Sequence, residues 1–161
     1  MRLSRDELLQ PVLRDTTIPY APYSVRTTLV TSLAGGPLAA IAIIAVNSLR
    51  LGRLARDLVP LALALGVFLG LTYVLAGTEW GAGLRANLQH SGGAHAVAIV
   101  YRALAAAFWG LGFVLHSKEQ RTADFVGFDR PNGWVVGLAC VAGGIMLQIA
   151  LIAFVSGGVA L

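Results

Sequence analysis

Residues 28–49 read TLVTSLAGGPLAAIAIIAVNSL, a stretch without a charged side chain. A bilayer crossing takes about 20 apolar residues, so this stretch is long enough to span one. Three further apolar runs of similar length follow, near 57–77, 94–116 and 134–160. Backbone exposed to lipid must satisfy its own hydrogen bonds, and four such runs therefore predict helices. The expected fold is all-α: an integral membrane protein with four transmembrane helices arranged as two hairpins. Residues 1–27 read as an N-terminal interfacial tail and residues 28–161 as one transmembrane domain.

Composition supports this class. Of the 161 residues, 57% are hydrophobic and 12% charged, against about 25% charged in soluble domains. The formal charge is +4. The basic residues lie between apolar runs, as loops at a lipid surface do, so a nucleic-acid footprint is not expected. Cys140 is the only cysteine. An internal disulfide and a CxxC redox or metal motif are thereby excluded. Residues 1–15 lack an apolar h-region, so no secretory signal peptide is expected and the first span serves as the insertion signal.

The segments between the runs carry their own signals. Ser4 and Glu7 stand at capping-box spacing, which predicts a short helix in the tail. The stretch TTIPYAPYS, residues 16–24, holds two prolines and two tyrosines and reads as extended interfacial chain. Trp80, Leu84 and Leu88 recur every four residues and predict a short amphipathic helix on the membrane between spans 2 and 3. Residues 117–133 read as a polar, turn-rich loop. Loops one and three together hold six Lys/Arg. The positive-inside rule accordingly places both loops in the cytoplasm and both termini outside, in a bacterial inner membrane.

Pro37 follows Gly35 and Gly36 inside the first run. This predicts a packing kink; the functional alternative is a broken helix that exposes backbone groups to a substrate, as in transporters.

Helical projection gives each span a face of small and polar residues. On span 3 it carries His95, Ala98, Arg102, Ala105, Ala106, Trp109, Phe113 and His116, with Val97, Val100, Leu104, Leu111 and Leu115 on the opposite, lipid-facing side. Span 2 presents Gly66 and Gly70 as a GxxxG pair; span 4 presents Gly137, Gly144 and Gln148. Small residues let helix backbones approach closely in lipid. Arg102, Trp109, Gln148, Gly66, Gly70 and Gly144 are therefore the expected contacts to partner subunits or lipid. For Arg102 the bland alternatives are snorkelling to the surface or pairing with Glu79.

No convergent catalytic set is visible. The spans hold no interior Asp or Glu, and GxSxG, HExxH, Walker A and GxGxxG patterns do not occur. His90 and His95 have no third ligand nearby, so no metal site is expected. His95, and His116 at the other end of the same face, are the weak candidates for a pigment ligand, a bacteriochlorophyll or haem. Otherwise no cofactor is expected.

The stretch YSVRTTLVTSLAGGPLAAIAIIAVNSLRLGR, residues 23–53, resembles the opening of a set of small bacterial multi-span membrane proteins. The shared features are Tyr23-Ser24, the Gly35 to Ala39 core, Asn47, and the Leu51-Gly52-Arg53 exit. The resemblance covers about a fifth of the chain, implies a bacterial origin and brings no site or activity with it.

The expected function is that of a non-enzymatic accessory subunit of a larger bacterial membrane complex. Energy-transducing assemblies, photosynthetic or respiratory, recruit small subunits of this kind, which is an analogy only. The expected partners are the lipid bilayer and other membrane subunits, with no nucleic acid and no soluble substrate. The alternative is a small oligomeric transporter or channel. Third comes a membrane enzyme or a pigment-binding subunit using His95.

Overall fold

The computed structural model describes residues 21–93, 95–127 and 129–157. The tail helix expected near Ser4 lies outside them. Six helices are described and, among these residues, no strand: α1 Val25–Arg50, α2 Leu54–Gly77, α3 Glu79–Gly92, α4 Ala96–Leu115, α5 Ser117–Val126 and α6 Trp134–Gly157. By length and apolarity α1, α2, α4 and α6 could each cross a membrane. The short amphipathic helix expected between spans 2 and 3 is α3, with Trp80 exposed and Leu84 packed on the core.

α1 departs from the expected single crossing. A straight helix would hold Tyr23 and Asn47 about 36 Å apart. Instead the Tyr23 amide donates to Asn47 Oδ1 at 3.0 Å, and the Arg50 guanidinium stands 4.7 Å over the Tyr23 ring. Thr28, Ile44 and Asn47 line one small cavity. The helix has therefore turned back on itself into a hairpin of two halves, 25–35 and 37–50. Each is shorter than the roughly 30 Å hydrocarbon layer it would have to traverse, at about 16 and 21 Å.

The reversal rests on three consecutive residues. Gly36 takes φ 77 and ψ −167, a backbone region open to glycine almost alone. A Cβ on Gly35 would meet Ala39 Cβ at 2.4 Å and the Val141 Cα at 2.8 Å, so only glycine fits there. Pro37 opens the second half, where its missing N–H costs nothing and its fixed φ already suits a helix. At the hairpin base, Ser24 caps the first half by accepting from the Thr27 amide at 3.1 Å. The sequence reading of Pro37 as a simple kink is thus corrected to a full reversal.

The hairpin is the centre of the bundle, with α2, α4 and α6 around it. Just before α6, Gly133 meets Tyr23; along α6, Gly137 meets Thr31, Gly144 meets the Ala39 backbone, and Gln148 reaches the tip at Gly36. The glycines expected on span 4 are thus real close approaches. Phe68 of α2 meets Tyr101 of α4 edge-on, with ring centroids 6.3 Å apart, and Phe108 completes this apolar core. These aromatics turn α4 away from the projected orientation. Val97, Leu104 and Leu111, expected to face lipid, pack against the core, while Arg102 and Phe113 are exposed. Gly66 and Gly70 of α2 have nothing within 4 Å and face outward.

A helix, α5, replaces the expected loop after span 3. It ends at Gly127, whose φ of 71 terminates it while its amide bonds the Ala123 carbonyl. Three long helices now run the length of the bundle and the hairpin returns to its starting end. Tyr23 and Gly157 consequently lie at opposite ends of the bundle, whereas the two termini, expected on one side, lie outside the described residues. Arg26, Arg50, Arg53, Arg56, Lys118, Arg121 and Arg130 all belong to the Tyr23 end, the basic end of the bundle.

The packing separates two glycines that look alike in sequence. Gly144→Leu should destabilise the isolated chain by at least about 2 kcal/mol, because a Cβ there already meets the Ala39 backbone amide at 2.8 Å. Gly66→Leu should leave its melting temperature within about a degree or two of the parent. Equal melting of both variants in detergent would contradict the placement of α6 on the hairpin.

Candidate functional site

The densest set of buried polar groups lies at the basic end, where the hairpin base, the start of α2 and the α4–α5 junction meet. Asp57 in the first turn of α2 is 1% exposed, His116 between α4 and α5 is 2% exposed, and Ser48 is fully buried. His116 Nε2 stands 3.1 Å from Asp57 Oδ2 and 3.0 Å from Ser48 Oγ. The Ser48 hydroxyl donates to the Ile44 carbonyl at 3.0 Å. Its proton is thereby committed, and the shared nitrogen must be a donor to both oxygens.

Around this trio run further ties. Gln120 Nε2 donates to the Tyr23 carbonyl at 3.0 Å, and Arg53 pairs with Glu119. Trp109 Nε1 donates to Thr28 Oγ1 at 3.3 Å, with the indole stacked on Phe113. Each bond joins the hairpin or the turn after it to α4 or α5. The cluster is a latch on the open end of the hairpin.

Serine, histidine and aspartate together suggest nucleophilic catalysis, but the geometry argues against it. A relay needs the carboxylate on one ring nitrogen, leaving the other as base toward the hydroxyl. Here both oxygens crowd the same nitrogen and the serine proton points to its own helix. Among the described residues no group of three His, Cys, Asp or Glu could hold a metal.

The residues singled out in the sequence divide between two places. Trp109 and His116 belong to the latch. His116 is thereby corrected as a pigment candidate, since its Nε2 is buried and engaged. His95 is exposed at the other end of α4. Arg102 and Gln148 both line a groove under the hairpin tip. Arg102 forms no ion pair with Glu79 and, among the described residues, no hydrogen bond. Sequence reasoning missed Asp57, Ser48, Asn47 and Gln120 as a set. The available signal was the pairing of polar residues at both ends of the first apolar run.

His116 follows the α4 span, and burial pushes its imidazole below the ordinary value of 6.5, opposed by the hydrogen bond it donates to Asp57. The folded state thus resists a proton that the unfolded state accepts. Stability is complete above about pH 6.5 and is lost as pH falls below it. Melting of the parent in detergent should drop between about pH 8 and 5, and His116→Gln should flatten that profile. His116→Ala, which strands Asp57, should cost about 3–5 kcal/mol. A parent with constant melting over this range would contradict the buried neutral imidazole.

No protein-family model, curated protein or solved structure matches the chain.

Proposed function

We propose that the chain is a non-enzymatic accessory subunit of a larger bacterial membrane complex, multi-pass in the inner membrane. The observation that supports this reading is how the surfaces are used. The polar chemistry at the basic end is consumed in holding the hairpin, whereas α2 turns Leu63, Gly66, Val67 and Gly70 outward as an uncovered apolar face. Two glycines one turn apart on such a face allow a neighbouring helix to approach closely. The basic end is cytoplasmic by the positive-inside rule, with seven described Lys/Arg against Arg85 and Arg102 elsewhere.

The re-entrant hairpin favours a second reading, a small oligomeric transporter or channel. Non-helical backbone at membrane depth is tolerated where it is buried in protein or lines a cavity, and transporters place their sites at such half-helix ends.

Two measurements test these readings. An impermeant thiol reagent should label Gly52→Cys from the cytoplasmic side and Gly157→Cys from the other, in a Cys140→Ala background; labelling from one side only would refute the opposed ends. Gentle extraction should give a particle holding other polypeptides at fixed stoichiometry. Gly66→Leu with Gly70→Leu should cut their retention by about tenfold. A particle made only of this chain would overturn the subunit reading, and solute flux through vesicles carrying it would establish the transporter instead.

A further inference from the structure

The hairpin fills only one half of the bundle, and the other half is short of a helix. Beneath the tip, between α4 and α6, lies a groove of about 360 Å3. Gly35 and Gly36 form its floor, and Val97 and Ile149 stand on its apolar walls. Two polar side chains reach it. Gln148 lies beside the tip, its Oε1 3.0 Å from where a Gly36 Cβ would stand. Arg102 is exposed and, among the described residues, without a partner. Tyr101 beside it turns inward and donates to Thr72 Oγ1 at 3.5 Å.

Arg102 lies six residues into α4, about 9 Å along the helix from the end opposite the basic face. An always-charged guanidinium at that depth is costly unless an anion or water meets it. The groove is open on one side, and its lining is apolar apart from Arg102, Gln148 and Tyr101. An occupant that matches it is apolar along its length, with an anion at one end. A soluble anion lacks the apolar body. An anionic phospholipid has both parts, and the planar fork of arginine holds a phosphate bidentately. We propose that this groove binds an anionic phospholipid of the leaflet opposite the basic end, one acyl chain against the hairpin tip and the phosphate on Arg102.

The site does not depend on the subunit reading, because binding is read on the mass of this chain itself. The full chain in neutral detergent is mixed with phosphatidylglycerol or phosphatidylcholine, and bound lipid is counted by native mass spectrometry. The parent should retain phosphatidylglycerol about fivefold over phosphatidylcholine. Arg102→Gln should abolish that preference without lowering the lipid-free melting temperature, and Arg102→Lys should recover part of it. Ile149→Trp, at an exposed wall of the groove, should reduce retention of both lipids. Equal retention of the two lipids by the parent would overturn the proposal. So would a preference that survives in Arg102→Gln, or unchanged retention in Ile149→Trp.

Discussion

A helix that turns back among packed apolar helices must reverse its backbone where little water meets the freed amides and carbonyls. That constraint governs this molecule. The reversal at Gly36 needs a positive φ, the approach of Gly35 to α6 leaves no room for a Cβ, and Pro37 begins the returning half without an amide to satisfy. The tip is therefore packed on one side by α6, which passes close beside it, and borders a groove on the other. From this follow the glycines of α6, the placement of α2 and α4 as flanking walls, and the groove on the far side of the tip.

The open end of the hairpin presents the complementary problem. Two half-helices of opposite direction have no backbone ladder between them, so side chains must hold them together. Asn47 bonding the Tyr23 amide closes the base directly, and the buried Ser48–His116–Asp57 trio ties it to α2 and α4. A buried ionisable pair is weak evidence for stability but is strongly destabilising when one member is removed. Its role here is to specify where the hairpin ends sit. The same residue types that would suggest catalysis are spent on position.

Much of the architecture was legible in the sequence. Apolar length and the absence of charge found the long helices, and the Trp80, Leu84, Leu88 spacing found α3. The recurrence of Gly137 and Gly144 found the α6 contact. The hairpin was not legible from hydropathy, because a 26-residue apolar run reads the same straight or folded. What distinguished it was polar placement: Ser24, Thr27 and Thr28 at one end, Asn47 and Ser48 at the other, and Gly-Gly-Pro between. Tyr23-Ser24, Gly35 to Ala39 and Asn47 are the residues that close and turn the hairpin. Projection of α4 erred for a different reason. It weighed Val97 and Leu104 as lipid-facing material and did not weigh Tyr101 and Phe108, whose area fills the core and sets the rotation. Arg102 lines a groove that exists only because the hairpin stops short, which no helical projection could show. α5 escaped notice because its length is short and its face polar.

The central claim is that the first apolar run enters and leaves by the same end of the bundle. Spin labels on Arg26→Cys and Leu49→Cys, both exposed positions, in a Cys140→Ala chain would measure it by pulsed electron resonance. The account predicts backbones about 10 Å apart, the spacing of two packed helices, with the label arms added. A separation of about 35 Å, that of a straight helix across the membrane, would contradict it.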